Sequence, residues 1–274
     1  MPTAQVNGTT LYYELDGPPD APVIVFSHSL FFDGDMFTHQ VAALADRFRV
    51  LRYDHRGQGR SAAASDQSEL DMDVLTDDLS ALLTELGIDR AHVAGNSMGG
   101  FIALRMATRH PGQTLSAIVI GSSAEQEHKL AEFEPLVEHM KAHGTTDVID
   151  TLMYIMFGDA TLALDGDDAR AAERDRWRAY MLGLDASIGL AAHGVIHRRS
   201  VLDELGGTEV PILVLAGETD HAYEQALSAR IADTAPRATW QVIAGAGHSV
   251  ALERPEPVNA AIIAWADALA LQPA

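Results

Sequence analysis

The sequence of 274 residues contains no cysteine, which excludes a disulfide framework, a thiolate metal site and a cysteine nucleophile. Positive charge is scarce as well: 19 Lys and Arg stand against 39 Asp and Glu, for a formal net charge of −20. Nucleic acids and anionic membranes attract basic surfaces, so neither is an expected partner. No apolar run approaches the ~20 residues that cross a bilayer.

The N-terminus also lacks the basic stretch and apolar run of a signal peptide. We therefore expect a cytoplasmic protein without membrane contact. A chain of 274 residues can bury a sizeable core and suits one large α/β unit. The oligomeric state is left open, with a homodimer as one option.

Segments of strand and helix character alternate along most of the chain. Short apolar or alternating runs predict strands at Thr9–Leu15, Pro22–Ser27, Arg49–Tyr53, Ala91–Ala94, Leu115–Ile120, Pro211–Ala216 and Thr239–Ile243. Helical spacing of apolar residues predicts helices at Asp35–Phe48, Met72–Leu86, Met98–Arg109 and Pro257–Leu271. This alternation predicts the α/β class, with a mostly parallel sheet between helices.

The region 122–205 interrupts this rhythm. It is rich in Ala, Glu, Met and His and shows no clear strand. We interpret it as a helical cap inserted into a core domain made of residues 1–121 and 206–274. The alternative is that these helices pack on the sheet like the others.

The segment AHVAGNSMGG (91–100) carries the pattern G-x-S-x-G, centred on Ser97. An apolar strand precedes it and an apolar helix follows, which is the context in which this pattern marks a nucleophilic serine. The strand and the helix approach so closely at such a turn that only glycine fits at Gly95 and Gly99. The sequence therefore predicts Ser97 as the nucleophile.

A serine nucleophile needs a base and a residue that orients the base. Two candidates follow predicted strands, Asp220 after Pro211–Ala216 and His248 after Thr239–Ile243, where parallel sheets place their sites. The order Ser97, Asp220, His248 agrees with that expected for this turn. Glu218 is a second possible acid, but it lies closer to the strand.

Stabilising an oxyanion requires two backbone N–H groups. We expect one from Met98, directly after the nucleophile, and one from Leu30, in the loop after the strand Pro22–Ser27. Candidate substrate-binding residues lie in this loop and in region 122–205; they are His28, Phe31, Phe32, Met153, Met156, Phe157 and Trp177. Neither a metal nor an organic cofactor is expected.

Five blocks together resemble the α/β-hydrolase superfamily: FSHSL (26–30), DHRGQGRS (54–61), GNSMGG (95–100), GETD (217–220) and GH (247–248). The first half is similar to the 3-oxoadipate enol-lactonases. Two residues depart from that pattern, His28 in place of asparagine and Phe31 in place of glycine. We expect DHRGQGRS to shape a turn near the site.

The resemblance implies a carboxylic ester hydrolase or lactonase that acts on a small molecule. Three alternatives use the same residues or fold. The first is a carbon–carbon bond hydrolase of ring-fission products, which the block 95–100 also resembles. The second is perhydrolysis, in which peroxide replaces water, and the third is a ligand receptor without catalysis.

Overall fold

The computed structural model describes residues 2–164 and 168–270. Eight strands form one sheet in the order β1-β2-β4-β3-β5-β6-β7-β8. The strands are β1 (Thr3–Val6), β2 (Thr9–Asp16), β3 (Val23–Ser27), β4 (Arg49–Tyr53), β5 (Ala91–Asn96), β6 (Thr114–Ile120), β7 (Ile212–Gly217) and β8 (Ala238–Ile243). β1 and β2 pair antiparallel, as do β2 and β4, whereas the other neighbours pair in parallel.

Helices connect the parallel strands. They are α1 (Thr38–Leu44), α2 (Met72–Glu85), α3 (Met98–Arg109), α4 (Leu130–His143), α5 (Ile149–Met156), α6 (Asp159–Leu162), α7 (Ala169–Leu182), α8 (Ile188–Ile196), α9 (Leu202–Leu205), α10 (Gln225–Thr234), α11 (Val250–Glu253) and α12 (Pro255–Ala270). Short 3-10 helices lie at Gly34–Phe37, Gln67–Leu70 and Thr146–Val148. No helix of the described residues is long and apolar enough to cross a membrane.

The sheet order explains the composition of its strands. All residues of β5 and β7 are buried, as expected for parallel strands covered on both faces. β8 lies at the edge of the sheet and leaves four successive residues exposed. The mostly parallel sheet flanked by helices confirms the predicted α/β class.

The structure corrects one predicted helix, Asp35–Phe48. A 3-10 turn at Gly34–Phe37 precedes α1, which ends at Leu44. Gly17 packs against the carbonyl of Phe48 just beyond this helix, where a Cβ would lie 2.2 Å from the oxygen. Prediction also missed β1 and α10. It extended the last helix to Leu271, which lies outside the described residues.

Between β6 and β7 the described residues form the six helices α4 to α9 and no strand. Residues of α4, α5 and α8 lie beside Ser97 and His248 around one cavity. We propose on this basis that residues 122–205 act as a cap on a core formed by 1–121 and 206–274.

Arg56 and Asp78 form a buried ion pair that joins the turn after β4 to α2. Arg56 Nε donates to Asp78 Oδ2 at 2.9 Å, and Nη2 donates to Oδ1 at 2.7 Å. The two side chains are only 6% and 2% exposed. Nη2 also donates to the carbonyl of Asn7 at 2.7 Å. These contacts support the structural role expected for the block 54–61.

The variant Asp78→Ala removes the nearer counter-ion of Arg56 and leaves only Glu69, whose oxygen lies 3.5 Å from the guanidinium, so we expect the free energy of unfolding to fall by about 3 kcal/mol. Urea denaturation followed by circular dichroism measures this change. Asp77 is the matched control, because its pair with His110 leaves the Asp77 side chain 63% exposed. Asp77→Ala should cost less than about 1 kcal/mol. Equal losses in both variants would contradict this account.

His92 is a buried histidine of β5, far from Ser97 along the strand. Its Nδ1 lies 2.8 Å from Ser116 Oγ. Burial lowers the pKa of His92 from 6.5 to about 4. The folded protein therefore keeps this imidazole neutral at pH values where the unfolded chain protonates it.

Linkage gives the sign of the pH dependence. The contribution of neutral His92 to the free energy of unfolding is complete above pH 6.5. It is lost as the pH falls toward 4, because the unfolded state then binds a proton that the folded state does not. From pH 7 to pH 5 we expect His92 to remove about 2 kcal/mol of stability. Urea denaturation of wild type and His92→Gln at both pH values tests this. Between pH 7 and pH 5, the free energy of unfolding should fall by about 2 kcal/mol less in the variant than in the wild type. Equal decreases in the two proteins would refute the assignment.

Candidate active site

Ser97 occupies the turn between β5 and α3, in a backbone conformation that L residues rarely adopt. Its φ is +52° and its ψ is −112°. A conformation of this kind costs of order 1–3 kcal/mol and persists only where neighbours impose it. Here the Ser97 N–H donates to the carbonyl oxygen of Ile120 at 2.8 Å, and Ser122 Oγ donates to the carbonyl oxygen of Ser97 at 2.6 Å.

The two glycines that flank Ser97 are required by contact. A Cβ on Gly95 would lie 2.1 Å from the carbonyl oxygen of Gly99, and a Cβ on Gly99 would lie 1.9 Å from that of Ser27. No side chain fits at such distances. The structure thus shows the close approach that the sequence analysis expects.

The structure brings Ser97, His248 and Asp220 together. His248 Nε2 lies 2.8 Å from Ser97 Oγ, and its Nδ1 lies 3.0 and 3.1 Å from the two carboxylate oxygens of Asp220. Both His248 and Asp220 side chains are almost fully buried, at 3% and 2% exposure. Asp220 Oδ1 also accepts the N–H groups of Ala222 and Tyr223 at 2.8 and 2.9 Å. These bonds fix the carboxylate, which in turn orients the imidazole.

Glu218 takes another position. Its Oε2 accepts the N–H of Gly245 at 2.8 Å, so the carboxylate holds the turn after β8. Glu218 therefore stabilises this loop, and Asp220 is the carboxylate that contacts His248.

The backbone of His248 is fixed by Asn96, the residue before Ser97. Asn96 Nδ2 donates to the His248 carbonyl at 3.0 Å, and its Oδ1 accepts the N–H of Ala251 at 3.4 Å. One side chain thereby links the nucleophile turn to the histidine loop. Sequence reasoning did not single out Asn96, because its partners lie some 150 positions later in the chain.

Glu253 fixes the other side of the histidine loop. Its carboxylate accepts the N–H of Gly247 at 3.0 Å, the N–H of Gly158 at 2.9 Å and the hydroxyl of Thr161 at 2.5 Å. Burial raises the pKa of this carboxyl, against the effect of these hydrogen bonds. Glu253 therefore joins the residue before His248 to the segment after α5, and sequence reasoning missed it as well.

The loop after β3 carries a second strained residue. Phe31 has a φ of +70°, in the left-handed region where glycine is favoured. The enol-lactonase pattern has glycine here, so the departure noted in the sequence has a visible backbone cost. Leu30 and Phe31 both line the cavity next to Ser97.

His28 supports this loop from within. Its Nδ1 donates to the carbonyl of Ser29 at 2.9 Å, and its Nε2 accepts the N–H of His55 at 2.9 Å. A ring that donates on one nitrogen and accepts on the other is neutral. Burial lowers the pKa of His28 and lowers that of His55 well below its usual value. His28 therefore shapes the loop and does not line the cavity.

Two N–H groups of this region suit an oxyanion. Met98 is the first residue of α3, so its N–H has no acceptor within the helix and lies at the positive end of the helix dipole. Leu30 belongs to the loop after β3 and lines the same cavity as Ser97. The N–H groups of Leu30 and Met98 stay the proposed oxyanion donors.

A largely apolar cavity contains Ser97 and His248 in its wall. Three helices supply most of the lining, at helical spacing. From α4 come Phe133, Leu136, Val137 and Met140; from α5, Leu152, Ile155 and Met156; from α8, Ala192, Val195 and Ile196. Ala222 and Tyr223 complete the wall near His248. An apolar lining of this kind binds the hydrocarbon part of a ligand.

Of the predicted substrate-binding residues, the structure places Phe31 and Met156 in this wall. Met153 is buried on another side of α5, where it lines a different pocket together with Leu162. Phe32, Phe157 and Trp177 form a separate buried cluster, with Phe32 4.9 Å from Trp177 and 6.2 Å from Phe157 between ring centroids. The α4 and α8 residues were missed, although their apolar spacing was readable.

Among the described residues, Glu127 is the one carboxylate of the cavity wall. It accepts hydrogen bonds from Arg198 Nη1 and from the Tyr223 hydroxyl, both at 2.9 Å. Burial raises its pKa, but Arg198 and the hydrogen bonds outweigh this and leave the pKa of Glu127 below its usual value. The Tyr223 ring lies 5.4 Å from the His248 ring. By holding the Tyr223 hydroxyl, Glu127 therefore supports the cavity wall beside His248.

The chain matches the family model described as alpha/beta hydrolase fold over residues 22–255, and it belongs to that family. The enol-lactonase of Burkholderia xenovorans LB400 superposes with a TM-score of 0.88 and 29% identity, covering 97% of this chain and all of that one. The 3-oxoadipate enol-lactonase 1 of Acinetobacter baylyi is 30% identical over 214 residues, or 78% of this chain and 77% of the relative.

Another relative, from Caulobacter sp. (strain K31), is named as a carbamate hydrolase, RutD. It is 27% identical over 266 residues, which cover 96% of this chain and 97% of the relative. These likenesses confirm the α/β-hydrolase fold and the relation to 3-oxoadipate enol-lactonase. The chain is accordingly a hydrolase.

The steric argument at the serine turn is testable by stability. Gly99→Ala would force its methyl group to 1.9 Å from Ser27 O, so β3 or α3 must shift. We expect the free energy of unfolding to fall by at least about 3 kcal/mol, measured in urea. Gly112→Ala is the control, because its Cβ would meet open space. A Gly99→Ala variant as stable as the control would refute the steric account.

Proposed function

We propose that this protein cleaves a carboxylic ester or a lactone through an acyl-enzyme on Ser97. The observation that carries the proposal is the continuous hydrogen-bonded chain from Ser97 through His248 to Asp220, placed in the wall of an apolar cavity. A buried serine with a base and an orienting carboxylate is the arrangement of nucleophilic acyl transfer.

The reaction follows from this geometry in two halves. Ser97 Oγ attacks the substrate carbonyl while its proton passes to His248 Nε2, and the N–H groups of Leu30 and Met98 hold the resulting oxyanion. The bond to the alcohol oxygen then breaks, and His248 returns the proton to that oxygen. Water, deprotonated by His248, attacks the acyl-enzyme and releases the acid and free Ser97. Asp220 stabilises the imidazolium in both halves.

The cavity favours an ester with a hydrocarbon acyl or alcohol part. Its lining comes mostly from Leu, Val, Ile, Met and Phe, which bind alkyl groups and give a small polar acid few partners. The relatives named as enol-lactonase and as carbamate hydrolase support hydrolysis at a carbonyl bonded to oxygen or nitrogen. Of these two substrate classes, ester or lactone on the one hand and carbamate on the other, the apolar wall favours the ester or lactone.

Hydrolysis of p-nitrophenyl acetate and butyrate by wild type and Ser97→Ala tests the proposal. We expect kcat/KM to fall by about 10³ or more in the variant, because the nucleophile is lost. Butyrate should be the better substrate, since its propyl chain reaches the apolar wall. Ser116→Ala is the matched control; this buried serine contacts His92 and Trp265 and should keep activity within about twofold.

A fluorophosphonate that adds to Ser97 but not to Ser97→Ala, detected by intact mass, would show the covalent step directly. Turnover that survives in Ser97→Ala contradicts the proposal. Preferred cleavage of a vinylogous diketone over every ester would assign the site to carbon–carbon hydrolysis, and faster cleavage of a carbamate would assign it to that class. Tight ligand binding without turnover would assign it to a receptor.

A further inference from the structure

A cluster of metal-ligating side chains lies outside the catalytic site, on the cap helices. His193 belongs to the last turn of α8, His197 follows directly after it, and Glu134 belongs to α4. One potential ligand atom from each of the three lies within 4.8 Å of the other two. Nothing in the proposed reaction uses these residues.

The two histidines are arranged as a chelating pair. They are four positions apart, so they share one side of the helical turn, and their ring centroids are 4.0 Å apart with a tilt of 31°. His197 Nε2 lies 3.0 Å from Glu134 Oε2. The carboxylate of α4 thus already contacts the pair from α8.

Gln67 shows that His193 presents a lone pair at this point. Its amide Nε2 lies 3.2 Å from His193 Nε2, and an amide nitrogen can only donate. The Nε2 atom of His193 is then the acceptor, which is the form of imidazole that binds a metal ion.

The charge around the cluster suits a cation. Glu134 and Glu138 both act on His193 electrostatically, and Lys141 opposes them, although it is paired with Glu138 at 2.8 Å. The chain as a whole carries a formal charge of −20, which raises the local concentration of cations.

We propose that Glu134, His193 and His197 bind one divalent transition-metal ion, of which Zn²⁺ is the ion that this donor set favours. Two imidazoles and a carboxylate are a donor set that zinc accepts, at about 2.0–2.2 Å from each atom. Tetrahedral ligands at that distance lie roughly 3.4 Å apart. From the present spacing, within 4.8 Å, the side chains must rotate closer together, and the bound ion takes the place of the Gln67 amide at His193 Nε2. The fourth position is open to water.

The position of this site gives it a structural consequence. Glu134 lies next to Phe133, and His193 and His197 follow Ala192 and Ile196 directly; these three apolar neighbours line the cavity. A metal ion held between α4 and α8 would therefore join the two helices that form most of the apolar wall. The site is separate from Ser97, and the expectation that catalysis needs no metal is unaffected.

Isothermal titration of the EDTA-treated protein with Zn²⁺ tests the proposal. We expect one ion per chain with a Kd in the micromolar range or below, and a Kd at least tenfold higher in His197→Gln and in Glu134→Gln. At a zinc concentration a hundred times Kd, Tm should rise by roughly 5 °C. Co²⁺ in place of Zn²⁺ should give the visible absorption of a site with nitrogen ligands.

The matched control is a second histidine pair with the same spacing, His139 and His143 of α4. Their rings lie 4.8 Å apart, and Asp147 lies 3.7 Å from His139. Among the described residues, however, no carboxylate brings its oxygen within 4.8 Å of ligand atoms of both histidines. His139→Gln/His143→Gln should keep the wild-type Kd within twofold. The absence of saturable binding would overturn the proposal. So would a Kd unchanged in His197→Gln, or an equal loss of affinity in the control.

Hydrogen exchange gives a readout that does not depend on catalysis. Zinc should slow amide exchange in α4 and α8 of the wild type and leave both helices unchanged in His197→Gln. His197 is exposed, so its replacement should leave the Tm of the metal-free protein nearly unaltered. Slowing that persists in His197→Gln would place the bound ion elsewhere and refute the assignment.

Discussion

The close contact of β3, β5 and α3 around Ser97 is the constraint on which the site depends. Gly99 touches the carbonyl of Ser27, and Gly95 touches that of Gly99, so no Cβ is tolerated at either place. This contact forces Ser97 into a φ of +52° and turns its hydroxyl toward His248. The strain is local, and the surrounding parallel sheet, buried on both faces, holds it.

The histidine is positioned by a second set of interactions that converge from distant parts of the chain. Asn96 holds the carbonyl of His248, and Glu253 holds the amide before it. Glu253 also binds Gly158 and Thr161, which belong to the helical region 122–205. A movement of that region is therefore coupled to the loop of the base through one buried carboxylate.

The composition of the cavity wall follows from the same arrangement. Helices α4 and α8 present apolar residues at i, i+3 and i+4 toward the cavity. α4 leaves Glu132 and Glu138 exposed, whereas α8 is buried over most of its residues. On its outward side this helix pair carries Glu134, His193 and His197. The inner and outer faces of one helix pair thus hold an apolar ligand wall and a potential metal site.

Much of the fold and the catalytic constellation was readable from local patterns. Short apolar or alternating runs predicted seven of the eight strands. The signal is clearest for central strands such as β5 and β7, because parallel strands buried on both faces have a distinct composition. The turn chemistry around Ser97 pointed to it as the candidate nucleophile, and the chain order of loops after strands pointed to Asp220 and His248 as its candidate partners. The structure brings these three side chains together. β1 was missed because a short antiparallel edge strand, TAQV (3–6), carries little apolar signal. Phe32, Phe157 and Trp177 looked like ligand-contacting residues, yet they pack on each other.

The sequence by itself determined what is local: the strand and helix periods, the glycines that a tight turn demands, and the loops that carry the reactive side chains. Only the tertiary structure decided which side chains meet. Asn96 with His248, Glu253 with Gly158, and Glu134 with His197 are pairs far apart in the chain. Their contact depends on how the sheet and the inserted helices pack, and packing distances leave no periodic trace in the order of residues.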